Sequence, residues 1–380
     1  MLRKARLEDL DALVALEDAC FESDRLSRRS FRYLLTRGHA ETLVEEEDGR
    51  LLGYAMLLFH RGTALARLYS IAVSPVARGR GLGASMLAAA EREALEAGTV
   101  SVRSEVRKDN DASLGLFRRS GYRQLDEVDD YYEDGMAALR FEKMLDPGLR
   151  RTLVRVPFYR QTLDFTCGAA ALLMAMKALR PELPVSRGLE LRVWREATSI
   201  FMTSGHGGCG PYGLALAAAQ RGFSVELYVK ERGVFLGESV RSLEKREVMR
   251  LVEEDFLQEL RERGIPIRRR VLGVEALRRA FDDHAIPIVL ISSYRIYGER
   301  VPHWVVVTGF DERFIYVHDP FISDAEGKSE SESVNVPIAR AEFERMARYG
   351  KTGQRAVLLL RAPAEPGPRP APRDAGGRPA

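Results

Sequence analysis

The chain has 380 residues, of which 45% are apolar and 30% are charged, and its formal net charge is +3. A chain of this length exceeds one ordinary hydrophobic core, so at least two domains are expected. The composition is typical of a soluble globular protein, and so small a net charge excludes a broad nucleic-acid-binding surface.

The sequence predicts neither export nor membrane insertion. Its first ten residues are rich in charge, unlike a signal peptide. No run approaches the roughly 18 apolar residues that a membrane-spanning helix needs. Three cysteines, Cys20, Cys167 and Cys209, are too few and too widely spaced for a disulfide framework or a cysteine-rich zinc site. We therefore expect a cytoplasmic protein.

Residues 1–145 show the pattern of a mixed α/β domain. The predicted elements, in chain order, are a helix over 9–20, strands over 42–47, 53–60 and 66–73, a helix over 82–97, a strand over 101–106, a helix over 112–120 and a strand over 138–144. The Asp-Pro-Gly sequence at 146–148 interrupts this pattern. It begins a predicted linker over 146–154.

Residues 155–361 form a second predicted domain of α/β type. Strand-like residues over 152–157 lead into it, and its predicted elements are an apolar helix over 167–179, a charged helix over 239–263 and strands over 303–309, 314–319 and 356–361. The Gly-rich segment 203–211 is a candidate wall of a substrate cleft. Its His206 and Cys209 lack a second pair of ligands, so no metal is predicted. Residues 362–380, rich in Pro, Gly and Arg, are expected to be a disordered tail.

A glycine-rich turn joins a buried strand to a helix over residues 71–84. The glycines let backbone N–H groups approach a ligand, while the helix N-terminus and two arginines add positive charge, and this combination suits a pyrophosphate. A dinucleotide-binding fold would place such a turn after its first strand, whereas this one follows a later strand. A nicotinamide cofactor is therefore excluded.

Arg78, Gly81 and Gly83 match the coenzyme A loop of the GNAT acetyltransferases, and residues 104–122 resemble the end of that domain in the ribosomal-protein alanine N-acetyltransferases. The resemblance covers residues 2–145. It implies the GNAT fold with acetyl-CoA, or another acyl-CoA, as co-substrate. The contacts expected for that co-substrate are Ile71, Val73, Arg78, Gly79, Arg80, Gly81, Gly83, Ala84 and Asn110.

Acyl transfer to an amine needs a base for the attacking ammonium and an acid for the leaving thiolate. The resemblance implies that Glu105 is the base. Phe117 stands where those enzymes carry an acid tyrosine, and a phenyl ring cannot donate a proton. Three alternatives remain open: Tyr131 or Tyr132 is the acid, solvent protonates the thiolate, or the domain binds acyl-CoA without turnover.

The second domain carries a candidate nucleophile in Cys167, at the first turn of its apolar helix. Free N–H groups and the helix dipole at this position favour a thiolate, and the small residues 168–171 are expected to leave room beside the sulfur. A buried packing role is the alternative, because cysteine is often buried. The presence of a base decides between the two.

His303 is the candidate base and Asp319 the residue that orients it. The runs 303–309 and 313–319 flank a short turn, as in a β-hairpin. A turn centred on Asp311 pairs position 303 with position 319, which brings the two side chains within reach of each other. His318 is expected to point to the opposite face, as a structural or solvent-facing residue.

These residues resemble the bacteriocin-processing peptidases, the papain-like family that cuts leader peptides after a double glycine. The match spans residues 155–361. It implies that Gln161, six positions before the cysteine, supplies a side-chain amide to the oxyanion hole, together with the backbone N–H of Cys167. Well-known members are fused to a membrane transporter and an ATPase, and this chain carries neither, so export-coupled cleavage is not implied.

The sequence thus predicts a bifunctional peptide-modifying enzyme, with an acyl-CoA-dependent N-acyltransferase domain and a cysteine peptidase domain. Its expected partners are acyl-CoA and a peptide or protein substrate, without nucleic acid. Two alternatives stay open. One is a recognition module that binds acyl-CoA or a leader peptide without turnover, and the other is a cysteine amidase or transamidase, because acyl-enzyme chemistry is common to all of these.

Overall fold

The computed structural model describes residues 1–198, 207–231, 233–237, 240, 242–323 and 328–363. Most of the predicted disordered tail and His206 of the Gly-rich segment lie outside the described residues. Within those ranges, no helix is long and apolar enough to cross a membrane.

The N-terminal domain is a mixed α/β domain built on one sheet, as predicted. Its elements are β1 (Leu2–Lys4), α1 (Leu10–Cys20), α2 (Arg28–Thr36), β2 (Ala40–Glu47), β3 (Arg50–Phe59), β4 (Leu65–Val73), α3 (Leu82–Glu96), β5 (Ser101–Arg107), α4 (Asp111–Arg119), β6 (Arg123–Val128) and β7 (Ala138–Met144). The strand order is β1-β2-β3-β4-β5-β7-β6. Neighbouring strands are antiparallel except β4 and β5, which run parallel. The carboxyl ends of that parallel pair form the wall of the first candidate site.

Three elements of this domain are absent from the sequence prediction: β1, α2 and β6. Strand β6 has almost no buried residue, so it lacks the apolar alternation that identifies a strand. Helix α2 begins after Ser27, whose side chain accepts a hydrogen bond from the Ser30 N–H and caps the helix. Phe31 is its fully buried residue and packs edge-on against Tyr54.

The C-terminal domain places helices against a second sheet. Its elements are β8 (Thr152–Leu153), α5 (Cys167–Leu179), α6 (Arg187–Ala197), α7 (Pro211–Gln220), β9 (Ser224–Lys230), α8 (Leu243–Glu262), β10 (Ile267–Arg268), α9 (Val274–Asp282), β11 (Ile286–Ser292), α10 (Tyr294–Tyr297), β12 (Pro302–Phe310), β13 (Phe314–His318), β14 (Val336–Ala339), α11 (Arg340–Met346) and β15 (Arg355–Arg361). The strand order among the described residues is β10-β9-β15-β11-β12-β13-β14, and β8 pairs with β12. The predicted strand over 152–157 is therefore only two residues long.

Helix α5 lies in the centre of the domain core. Ala169 to Ala175 are fully buried, together with Trp304 of β12 and the apolar face of β11. A Cβ on Gly168 would lie 2.8 Å from Cys209 Cβ and 3.0 Å from Trp304 Cδ1. Gly168 therefore allows the start of α5 to pack closely against Cys209 and Trp304.

The β12–β13 hairpin has a different register from the predicted one. Val306 pairs with His318, and Val307 pairs with Val317, but Gly309 pairs with Tyr316 because a bulge interrupts the ladder. Positions 303 and 319 are not directly opposed, because Phe310 pairs with Ile315 and the turn is therefore centred beyond Glu312 and not on Asp311. The predicted pairing was wrong, although the two side chains still meet, because Asp319 follows the end of β13.

The two domains share a small apolar cluster, formed by Ala64 and Val100 of the first and Phe314 and Tyr316 of the second. A backbone hydrogen bond from Ala64 N–H to Pro337 O, 2.8 Å long, joins the two units beside it. The N-terminal sheet thus contacts the edge of the second sheet directly.

Candidate active sites

The glycine-rich turn of the first domain has the backbone geometry that its sequence predicts. Gly79 and Gly81 have φ values of 78° and 77°, in the left-handed region that favours glycine. Gly81 is the N-cap of α3, so the free N–H groups of that helix begin at the turn. A Cβ on either glycine would meet nothing within 4 Å. The turn thus presents open backbone donors, which fit a pyrophosphate.

Two of the expected co-substrate contacts already have partners in the protein. Arg80 forms a two-fold ion pair with Glu47, at 2.8 and 2.9 Å, on the surface. Asn110 caps α4, because its Oδ1 accepts a hydrogen bond from the Ser113 N–H at 3.0 Å. Asn110 also lines the cavity described next.

A cavity of about 610 Å³ extends from the carboxyl ends of β4 and β5 to the interface with the C-terminal domain. Ile71, Asn110 and Phe117 lie on its wall, as does Glu105. Its remaining lining includes the loop between α1 and α2, the tyrosines after β6 and two residues of the C-terminal domain, Lys328 and Ser329. Both domains therefore contribute to one cavity.

Glu105, the predicted base, is held on both of its oxygens. Arg67 Nε donates to Oε2 at 2.8 Å, and Ser329 Oγ lies 3.2 Å from Oε1. The Glu105 and Arg67 side chains are 3% and 6% exposed. The sequence analysis missed Arg67, although it is a charged residue inside an otherwise apolar strand. That is the signal by which it could have been found.

The tyrosines proposed as acids lie in the same cavity as Glu105. Arg67 Nη2 donates to the Tyr131 hydroxyl at 2.8 Å. Burial, followed by the charge of Glu105, raises the pKa of Tyr131 to about 12, so the hydroxyl keeps its proton at neutral pH. Phe117 packs against Tyr122 and Phe141 in the core beneath the cavity. Tyr131 and Phe117 therefore line the same cavity, and Tyr131 has the hydroxyl proton that the phenyl ring lacks.

In the second domain, Cys167 is the first residue of α5 and is buried. The thiol lies close enough to His303 to interact with the imidazole through both a hydrogen bond and its charge. The structure therefore brings the predicted nucleophile and base together.

His303 and Asp319 are joined by a 2.7 Å contact between Nε2 and Oδ1, and both side chains are buried. Burial alone would lower the pKa of His303, but the Asp319 carboxylate and the Cys167 thiol outweigh it and raise that pKa to about 10. The imidazole is therefore held in its protonated form, with Nδ1 left for the thiol.

Asp319 has three further partners that the sequence analysis did not identify. Its Oδ1 also accepts from the Phe321 N–H at 2.9 Å. Its Oδ2 accepts from the Tyr297 hydroxyl and lies 3.3 Å from Lys328 Nζ. Burial opposes ionisation of this carboxyl, but Lys328 and then His303 hold its pKa well below the usual range.

Gln161, the predicted oxyanion-hole residue, lies in the loop that leads into α5. Its Nε2 donates to Leu163 O at 2.9 Å, and the same carbonyl accepts from the Thr166 hydroxyl at 2.8 Å. Leu163 O thus ties the Gln161 amide to the start of the helix. One Nε2 hydrogen remains available for another acceptor.

Glu190 of α6 holds the same loop and was missed by the sequence analysis. Its carboxylate accepts from the Thr162 N–H at 2.9 Å, the Thr162 hydroxyl at 2.7 Å and the Tyr159 hydroxyl at 2.9 Å. Glu190 is fully buried. Its role is to fix the backbone on both sides of Gln161.

The remaining histidine and cysteine of this region are structural. His318 Nε2 donates to Val156 O at 2.8 Å, and its Nδ1 accepts from the Asn335 N–H at 3.0 Å. Burial lowers the pKa of His318 to about 4, so the ring is neutral. Cys209 is buried, and desolvation raises the pKa of its thiol. Within the described part of the chain, no group of three or more His, Cys, Asp or Glu residues has metal-binding geometry.

Comparison with known proteins matches two parts of the chain to two families. Residues 156–361 match the model of the Peptidase_C39 like family, and residues 10–122 match that of the Acetyltransferase (GNAT) family. A Bacillus subtilis (strain 168) protein, provisionally assigned as a ribosomal protein alanine N-acetyltransferase, is 30% identical over 133 residues. These residues are 35% of this chain and 87% of that protein.

Solved structures of acetyltransferases are also similar to the N-terminal part. The ribosomal-protein alanine N-acetyltransferase from Escherichia coli is 21% identical, with 40% of this chain and 98% of that chain covered and a TM-score of 0.36. A ribosomal-protein-alanine N-acetyltransferase from Brucella melitensis is 25% identical, with 38% of this chain and 99% of that chain covered and a TM-score of 0.34.

Proposed function

Because the chain belongs to the GNAT acetyltransferase family in its N-terminal part and to the Peptidase_C39 like family in its C-terminal part, we propose that it is a bifunctional enzyme. The first domain transfers an acyl group from acyl-CoA to an amine. The second domain cleaves a peptide or amide bond through Cys167. The observation that carries the second activity is the position of His303 between the Cys167 thiol and the Asp319 carboxylate.

In the acetyltransferase site, the turn at Gly79 and Gly81 would hold the pyrophosphate of the co-substrate. Bound acetyl-CoA supplies an activated acyl group as a thioester. Glu105 takes the proton of the attacking amine, and Tyr131 holds the proton that the leaving thiolate needs. Arg67 contacts both residues and so fixes their relative position.

The acceptor that fits this cavity is the terminal amine of a peptide or protein. The related proteins are described as acetyltransferases of ribosomal-protein alanine. The cavity of about 610 Å³ is lined by the α1–α2 loop and by the tyrosines after β6. The test incubates the protein with acetyl-CoA and a panel of peptides that differ in their first residue. The rate of thiol release identifies the preferred amine.

In the hydrolase site, the Cys167 thiolate attacks the carbonyl carbon and forms a thioester. His303 gives its proton to the leaving amine as the C–N bond breaks, and then takes a proton from the water that hydrolyses the thioester. Asp319 keeps the imidazole in place throughout. The Gln161 amide and the Cys167 N–H stabilise the oxyanion.

Iodoacetamide labelling followed by peptide mapping tests the hydrolase proposal. We expect rapid alkylation of Cys167 near pH 6, where an ordinary thiol is almost unreactive, because an adjacent imidazolium stabilises the thiolate. Cys167→Ala should abolish this labelling. Cys209→Ala is the matched control and should leave it unchanged, because Cys209 is buried and its thiol stays protonated. Equal labelling of the wild type and Cys167→Ala would reject the assignment.

A coupling of the two reactions is a second proposal, because cleavage would create the amine that the first domain acylates. The observation in its favour is that Lys328 and Ser329, adjacent in sequence, touch Asp319 and Glu105 respectively. Mass spectrometry of peptide products formed with and without acetyl-CoA tests it. Acetylation at the newly formed N-terminus is the expected result, and cleavage products that stay unacetylated would contradict the coupling.

A further inference from the structure

One segment of the C-terminal domain lies between the two candidate sites. We call residues 328–335 the strap. Its centre is a single 3-10 turn over Glu330–Glu332. Side chains of the N-terminal domain bind along its length, and the residues that provide these contacts are His60, Arg67, Arg103, Glu105 and Arg140.

The strap is anchored mainly through Arg103 and Glu332. Arg103, on β5, donates to the carbonyl oxygens of Ser331, Val334 and Asn335. The Glu332 carboxylate accepts from His60 and, at 3.1 Å, from Arg67. Burial would raise the pKa of Glu332, but these two partners lower it to about 2. The groups that hold the strap from outside, His60, Arg67 and Arg103, all belong to the acetyltransferase domain.

The first residue of the strap, Lys328, extends its side chain in the other direction, into the hydrolase site. Its Nζ lies 2.9 Å from Phe321 O and 3.3 Å from Asp319 Oδ2, and it also bonds to the Tyr297 hydroxyl. Its side chain is only 3% exposed. A buried ammonium is costly unless it is paired and fully hydrogen-bonded, and here both conditions are met.

Lys328 and His303 therefore bind different oxygens of the same carboxylate, that of Asp319. Oδ1 of Asp319 binds His303, and Oδ2 binds Lys328 and Tyr297. With both oxygens occupied, the carboxylate cannot rotate away from the imidazole. The lysine charge also offsets part of the negative charge of Asp319, so the His303 imidazole loses its proton more readily than it would without Lys328.

We propose that Lys328 is a positioning residue of the Cys167–His303–Asp319 site, and that the acetyltransferase domain holds it there through the strap. The proposal rests on the proposed hydrolase function. It makes the alignment of one active site depend on contacts made by the other domain. Lys328 acts through Asp319 and has no contact with the reacting atoms.

The first test measures the pH dependence of the iodoacetamide alkylation rate of Cys167 in Lys328→Met and Lys328→Arg. The titratable groups that face His303 and Asp319 are Cys167, Tyr297 and Lys328, and among these Lys328 carries the positive charge. Loss of the lysine charge should move the inflection at which His303 loses its proton upward by about one pH unit. Lys328→Arg should restore the wild-type inflection. An unchanged inflection in Lys328→Met, or no rescue by arginine, would overturn the proposal.

The second test removes the anchor from the other domain. Arg103→Met should shift the same inflection in the same direction as Lys328→Met, and the double variant should shift it no further, because both changes act through Lys328. Arg3→Met is the matched control. Like Arg103, which pairs with Glu142, Arg3 is an ion-paired arginine on a strand of the N-terminal sheet, but it lies on the edge strand β1, away from the strap. An additive double variant, or an equal effect of Arg3→Met, would contradict the interdomain link.

A third measurement keeps the proposal separate from the hydrolase function. NMR titration of the His303 ring in the full chain follows its proton without any turnover or labelling. If wild-type Cys167 is not alkylated, the hydrolase function fails, while an upward shift of the His303 titration in Lys328→Met would still support the role of Lys328. The absence of any shift would reject that role.

Discussion

The Arg67 guanidinium donates to the carboxylate of Glu105 at 2.8 Å, so the proposed base of the acetyltransferase is also half of a buried ion pair. Glu105→Gln keeps the shape of this contact but removes the base. We expect acetyl transfer to fall by about 10²–10⁴-fold, with acetyl-CoA binding nearly unchanged. Comparison of kcat with the dissociation constant of acetyl-CoA checks this. A loss confined to cofactor binding would argue against a role in proton transfer.

The left-handed glycines of the cofactor turn allow a second prediction. Gly81→Ala places a Cβ at a φ of 77°, which strains the N-terminus of α3. We expect weaker acetyl-CoA binding, by about tenfold or more, measured by calorimetry. Gly98→Ala is the matched control, because its φ of 85° and its open surroundings are similar but it lies after α3. Equal effects of both substitutions on binding would show that only helix strain matters.

Gln161 can be tested separately from the nucleophile. Gln161→Ala removes one oxyanion donor and should lower the rate of peptide or amide cleavage by about 10²–10³-fold. Alkylation of Cys167 should stay close to the wild-type rate, because iodoacetamide forms no oxyanion. A variant that loses alkylation and cleavage together would indicate that Gln161 instead supports the fold of the loop before α5.

Two buried histidines should make stability depend on pH in opposite directions. His303 has a pKa raised to about 10, against a usual value near 6.5. Its stabilising effect is therefore complete below pH 6.5 and is lost as the pH rises towards 10. His318 has a pKa lowered to about 4, so its contribution is lost as the pH falls from 6.5 towards 4.

Urea unfolding at pH 5, 6.5 and 9 measures both effects. His318→Gln should lose the decline between pH 6.5 and 5, and His303→Gln should lose the decline between pH 6.5 and 9. The full effect of His318 is on the order of 3 kcal/mol, since each pKa unit corresponds to about 1.4 kcal/mol. Variants that keep the wild-type pH dependence would contradict these assignments.

Gly168 provides a test of packing at the nucleophile. A methyl group there would lie 2.8 Å from Cys209 Cβ, so Gly168→Ala should destabilise the domain by about 1–3 kcal/mol. Gly188→Ala is the control, because its Cβ would meet only two side-chain atoms at 3.9 Å. That substitution in α6 should be neutral or stabilise by up to about 1 kcal/mol. Thermal unfolding of the two variants gives the comparison.

The local sequence pattern predicted the helices and strands of the sites well, but it predicted the contacts between them poorly. The apolar run of α5 defined both ends of that helix, from Cys167 to Leu179, as observed. The register of β12 and β13 was wrong because Asp311 begins the turn and does not centre it: Phe310 pairs with Ile315, and the Asp311 carboxylate accepts from the Arg313 and Phe314 N–H groups. Lys328 was not identified because it stands in a charged run, which usually indicates a solvated surface. Its partners come from elements far away in the sequence.

The apolar cluster of Ala64, Val100, Phe314 and Tyr316 has a consequence for engineering this chain. A cut in the linker would leave two fragments that each expose apolar side chains, and it would separate Glu332 from its partners His60 and Arg67. Either half expressed alone should aggregate or bind its counterpart in trans. The two domains of this chain should therefore stabilise each other, and a variant that exchanges either one has to preserve these contacts.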